Sequence, residues 1–104
     1  AAALVRAARR PVILAGNGVI RARASRALRS LCAHAGIPAC PTFMGKGAVD
    51  DRSLLSLPAV GLQARDSVTA GLDEADVVLC AGYDLVEFGP AAWNPDRRKR
   101  IVHI

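Results

Sequence analysis

Gly16-Asn17-Gly18-Val19-Ile20-Arg21 is the stretch of this chain best suited to chemistry. Two glycines one residue apart, placed between an apolar run and a helical stretch, let backbone amides approach an anion, and the positive end of a helix adds to the attraction. A dinucleotide fingerprint carries a third glycine where Arg21 stands, so the match is partial. Two readings stay open: a phosphate cradle, or a tight strand-to-helix turn of the kind common in α/β domains. The missing glycine argues against a standard nicotinamide dehydrogenase. Gly45-Lys46-Gly47 has part of the composition of a triphosphate-binding loop, but lacks the earlier glycine and the Ser or Thr after the lysine.

The remaining candidates read more simply. Asp50-Asp51 and Asp73-Glu74-Ala75-Asp76 are acidic clusters able in principle to hold a metal, and the second, at the end of a predicted helix, is expected to be solvated surface. Cys32, Cys40 and Cys80 form no CxxC pair and have no histidine at metal-ligand spacing, which points to buried reduced thiols and a cytoplasmic compartment. His34, two residues from Cys32, falls on a different helical face. His103 lies in a predicted strand, where a structural role is expected. Arg97-Arg98-Lys99-Arg100 and a net charge of +5 give weak attraction to polyanions. Phe43, Tyr83, Phe88 and Trp93 do not interleave with these cations as a stacking platform would, so no specific nucleic-acid binding is expected.

The elements that position these residues are legible as runs. Pro11-Val12-Ile13-Leu14-Ala15 and Val77-Val78-Leu79-Cys80-Ala81 are continuous apolar stretches, the pattern of strands buried on both faces of a parallel sheet. Ile37-Pro38-Ala39-Cys40 and Arg100 to Ile104 read as two more strands. Between the first two strands, Ile20, Ala24, Ala27, Leu28, Leu31 and Ala35 form one helical stripe, with Arg21, Arg26 and Arg29 directed to solvent and Gly36 as the stop. A second helix is predicted over Ser67 to Asp76. The segment Pro41 to Gly47 is a turn-rich loop, and Asp50 to Gln63 has no clear period.

Alternation of strand and helix implies βαβ crossovers, hence a three-layer αβα open parallel sheet of Rossmann-like type. Ligands in such sheets bind outside the carboxyl ends of the strands. Those ends here are Gly16-Asn17-Gly18, Thr42-Phe43-Met44-Gly45 and Gly82-Tyr83-Asp84. A chain of 104 residues with 52% hydrophobic content supports one packed domain, but not an enzyme with a separate cofactor domain. No apolar run reaches the 18 or so residues that span a bilayer, so no membrane segment is expected.

The order of these segments resembles the central domain of thiamine-diphosphate-dependent enzymes. The resemblance is carried by Arg10 to Val19, Gly36-Ile37-Pro38, Thr42 to Gly47, Glu74 to Leu79, and Ile101-Val102-His103-Ile104, and covers nearly the whole chain. Gly82-Tyr83-Asp84-Leu85-Val86-Glu87 with Trp93-Asn94-Pro95 is similar to the acetolactate synthase group, which acts in branched-chain amino acid biosynthesis. This resemblance implies a larger, homodimeric or homotetrameric parent, with a pyrimidine-binding and a pyrophosphate-binding domain of the same chain as partners. Those domains would hold thiamine diphosphate and magnesium; no catalytic or metal residue is assigned here, and the chain alone is expected to catalyse nothing. Because the sequence starts within a helix and stops inside a strand, it is expected to be a piece of that parent.

Some members of this family bind FAD along the strand ends. Carried over, Gly16, Asn17, Gly18, Thr42, Phe43, Met44, Leu62, Gln63, Gly82, Tyr83 and Asp84 would line that groove. Flavin-binding members usually have Gly-Ala-Arg after the third strand and Met-His at the place of Leu62-Gln63. The departures here lead us to expect a flavin-free, structural domain. The alternative is a stand-alone FAD or adenine-nucleotide module of electron-transfer flavoprotein or sirtuin type, although the sirtuin histidine and zinc cysteines are missing.

Overall fold

A computed structural model describes residues 1–62 and 70–104. The elements are α1 (Ala2–Ala7), β1 (Pro11–Ala15), α2 (Asn17–Arg21), α3 (Ser25–Ala35), β2 (Ala39–Pro41), a 3-10 turn (Phe43–Gly45), α4 (Ala70–Asp73), β3 (Val77–Ala81), α5 (Pro90–Trp93) and β4 (Arg100–His103). The four strands form one parallel sheet in the order β2-β1-β3-β4, with Ile13 opposite Ala39, Ile13 opposite Leu79, and Leu79 opposite Val102. This is the expected three-layer arrangement. The first part of the helix expected over Ser67 to Asp76 lies outside the described residues.

Strand residues alternate between two cores. Val12, Leu14, Cys40, Val78 and Cys80 face one side, where Leu72 of α4 and Trp93 of α5 cover them. Ile13, Ala15, Ala39, Leu79 and Ala81 face the other, under Leu28 and Cys32 of α3 and Val19 of α2. Ile13 and Leu14 are fully enclosed, each contributing roughly 1.5–3 kcal/mol of hydrophobic stabilisation, which is why β1 is apolar without interruption.

The first helical segment departs from expectation in three ways. It breaks after Arg21, because Arg23 adopts a left-handed conformation (φ 54°) and the chain restarts as α3 at Ser25. The buried face of α3 is Leu28 and Cys32, whereas Leu31 is exposed, so the stripe read from the sequence is rotated. Arg29 is not simply solvated. Its guanidinium donates to the carbonyls of Ala48 at 3.2 Å and Gly47 at 2.8 Å, tying the loop after β2 to the helix. Gly36 ends α3 in the left-handed conformation (φ 64°), as expected.

The aperiodic stretch after Asp50 has an ordered role along the outer edge of β2. Ala39 exchanges backbone bonds with it, donating to Leu55 at 2.8 Å and accepting from Leu57 at 2.9 Å, and Pro41 accepts from Val60 at 2.9 Å. A loop thus satisfies an edge that would otherwise offer open backbone groups. Its side chains follow no strand period because only isolated bridges form, Ala39 with Ser56 and Thr42 with Val60.

Candidate functional site at the strand ends

The chain leaves β1 in one direction to form β2 and returns to place β3 on the other side of β1. That reversal makes the carboxyl ends of β1 and β3 the switch point of the sheet, where open α/β folds bind ligands. A cavity of about 300 Å³ lies there. It brings together Asn17, Gly18, Met44, Gly82, Tyr83 and Asp84, all expected to line the groove, and adds Arg21, Val86 and Glu87, which were not assigned to it.

The other sequence candidates sit around it. Thr42 is fully buried, its hydroxyl accepting from Gly45 N–H at 3.0 Å as the cap of the 3-10 turn and donating to Glu87. Phe43 and Leu62 are exposed beyond the cavity wall, and Gln63 lies outside the described residues. Gly16 packs beneath the cavity against the β3 turn. Tyr83 reaches the cavity, but its ring belongs to the core: its hydroxyl donates to the Phe88 carbonyl and its ring meets Trp93 edge-on at 6.1 Å. Burial pushes the Tyr83 phenol up, so it stays protonated. His103 Nε2 lies 2.9 Å from the Tyr83 carbonyl, the structural role expected for it.

Whether this crevice suits a flavin depends on free donors and on charge. The amides of the glycine turn are already bonded: Gly16 N–H to the Ala81 carbonyl at 2.9 Å, Gly18 N–H to the Gly82 carbonyl at 2.8 Å, and Asn17 N–H to both Glu87 oxygens at 3.1 Å. Of the two readings of the glycine pair, the tight turn accounts for the Gly16 and Gly18 bonds, while the Asn17 amide meets a side-chain carboxylate. Gly16 and Gly18 serve close backbone packing, since a Cβ on Gly18 would sit 2.7 Å from Gly82 Cα. The cavity wall carries Asp84 and Glu87 against Arg21. Setting a phosphate charge about 4 Å from a carboxylate costs about 4 kcal/mol at an effective dielectric near 20, before any gain from Arg21. The described residues therefore do not fit a dinucleotide pyrophosphate.

Elsewhere the sequence candidates have structural partners. Asp76 accepts from the N–H groups of Arg9 at 2.8 Å and Arg10 at 3.0 Å, and Glu74 pairs with Arg10 at 2.8 Å. Asp73 and Glu74 are exposed and Asp76 is half-buried, and the cluster organises the entry to β1, which is more than the solvated surface expected for it. Those two amides hold the Asp76 carboxyl below the usual carboxylate range. In the basic run, Lys99 Nζ donates to the Asp73 carbonyl at 3.0 Å, and Arg98 pairs with Asp96 at 3.3 Å. The cysteines are free and buried, as expected; desolvation pushes Cys40 up to about 12 and Cys80 up to about 11. Among the described residues, no three His, Cys, Asp or Glu side chains gather as metal ligands, and no helix is long and apolar enough to cross a membrane.

An open parallel sheet with its crevice at the switch point defines a Rossmann-like class of domain. Within that class the chain belongs to the thiamine pyrophosphate enzyme central domain family, whose model matches residues 1–104. It is 36% identical over its full length to a probable acetolactate synthase large subunit of Methanocaldococcus jannaschii, and 31% identical to an acetolactate synthase of Bacillus subtilis. It is 38% identical over its full length to a 2-hydroxyacyl-CoA lyase of Oryza sativa subsp. japonica. The chain spans 18% of the length of each of these relatives. Family membership sets aside the electron-transfer flavoprotein and sirtuin alternatives.

Proposed function

We propose that these residues form one domain of an acetolactate synthase-like, thiamine-diphosphate-dependent enzyme, serving as a flavin-free structural element between its pyrimidine- and pyrophosphate-binding domains. The family match along the whole chain carries this reading. The resemblance of Gly82 to Glu87 and Trp93 to Pro95 to the acetolactate synthase group supports the narrower assignment, together with similarity to the synthases of Methanocaldococcus jannaschii and Bacillus subtilis.

When bound elsewhere in the parent, thiamine diphosphate with magnesium supplies an electron sink for decarboxylating one 2-keto acid and joining the remainder to another. This chain's residues take no part in those bond changes. Their work is to hold the strand-end loops in a fixed shape: Gly16 and Gly82 pack the β1 and β3 turns together, and Thr42 fixes the loop after β2. The parent is a homodimer or homotetramer of the cytoplasm in this reading.

Similarity to the Oryza sativa lyase favours a second reading, an acyl-CoA-cleaving parent. Assaying the full-length protein with pyruvate and with a 2-hydroxyacyl-CoA separates the two. Acetolactate from pyruvate is the expected product, and cleavage of the thioester substrate alone would replace the first reading with the second.

A further inference from the structure

Glu87 is the one cavity residue whose carboxylate joins the loops after three different strands. Its two oxygens accept from Asn17 N–H, in the turn after β1, at 3.1 Å each. One of them accepts from the Thr42 hydroxyl after β2, and the other from Asp84 N–H after β3 at 3.3 Å. Neutral donors converging on one anion, with Arg21 on the same cavity wall, are the surroundings a phosphate group takes in a nucleotide-binding turn.

The segment bearing Glu87 is held from both sides, so the carboxylate is aimed before any ligand arrives. Its own N–H donates to the Asp84 carbonyl at 3.0 Å, and Val86 N–H donates to the Asp84 carboxylate at 3.2 Å. On the far side Phe88 is buried, and its carbonyl accepts from the Tyr83 hydroxyl and from Trp93 Nε1 at 3.3 Å. A dinucleotide entering the switch point would have to displace a carboxylate with three groups of donors and break a tied turn.

We propose that Glu87 is a built-in anion: it takes the place of a nucleotide phosphate at the β1–α2 turn and locks the three strand-end loops into one unit. The proposal rests on the flavin-free reading and adds its cause. A Glu87→Ala variant removes the anion and leaves room for a small one. Glu87→Gln keeps the shape but turns an N–H₂ group toward existing donors.

In the full-length protein, Glu87→Ala is expected to melt several degrees lower and to recover part of the loss in acetate or inorganic phosphate, but not in chloride of equal ionic strength. Wild type gains nothing from these anions, from ADP or from FAD. If Glu87→Ala does not fold, amide hydrogen exchange decides: Asn17 and Asp84 exchange slowly in wild type and at least tenfold faster in Glu87→Gln. An Ala variant with unchanged melting, or one that no anion restores, overturns the proposal while leaving the flavin-free reading intact, as do equal exchange rates in the Gln variant. Saturable binding of FAD to wild type overturns both.

Discussion

Gly16 and Gly82 lie so close that a methyl group on Gly16 would run into the Gly82 carbonyl oxygen. Gly82 is equally confined, with φ of 53° and the Val19 amide nitrogen 2.5 Å from where its own Cβ would stand. The β1 and β3 turns therefore meet backbone on backbone beside the cavity, and neither side can give way as a flexible side chain would. Gly82→Ala is expected to destabilise the fold by about 3 kcal/mol or more, combining left-handed strain with the clash. Gly36→Ala, at φ 64° with nothing within 4 Å, should cost only about 1 kcal/mol. Parallel denaturant melts check the contrast.

Trp93 is the largest fully buried side chain and closes the core beneath the cavity. Its indole N–H donates to the Phe88 carbonyl, so the residue both fills volume and holds the segment that presents Glu87. Trp93→Ala is expected to cost about 3–5 kcal/mol. Trp93→Phe should cost less in stability, yet speed amide exchange at Asn17, since the Phe88 anchor is loosened.

The cysteines allow a test by chemistry. With Cys40 near 12 and Cys80 near 11, these two thiols hold almost no thiolate at pH 8, and burial raises Cys32 as well. Iodoacetamide should leave all three unmodified in the folded protein and alkylate all three in denaturant. Rapid labelling of Cys40 under native conditions would contradict its burial.

Asp76 ties the entry of β1 to the entry of β3 through the Arg9 and Arg10 amides. Its folded pKa is depressed, so its contribution is fully present above the unfolded carboxylate value. That contribution is lost as pH falls through the usual carboxylate range toward the lower folded value. Melting temperature should decline on acidification below about pH 4–5 in wild type, and Asp76→Asn should start lower and decline less steeply over that window.

The sheet was readable because burial on both faces leaves an unmistakable mark: β1 and β3 are apolar at every position, and Gly36 stops α3 where a glycine in the left-handed conformation must. The break at Arg23 was hidden, since the apolar stripe runs on past it and no Gly or Pro marks the turn. Helix α5 did carry a signal, Pro90 at its first turn after Gly89, set within a loop rich in Gly, Pro and Asn. Of the candidate site, the three strand-end loops followed from the alternation of elements. Glu87 did not, because its partners Asn17 and Thr42 are 70 and 45 residues away, and nothing local distinguishes a carboxylate that locks three loops from one on a solvated turn.

The most direct measurement is turnover of pyruvate by the full-length protein supplied with thiamine diphosphate and Mg²⁺, with and without added FAD. Acetolactate forming at the same rate in both conditions is the expected result. No acetolactate, or a strict requirement for FAD, would contradict the assignment of this chain as the flavin-free central domain of an acetolactate synthase-like enzyme.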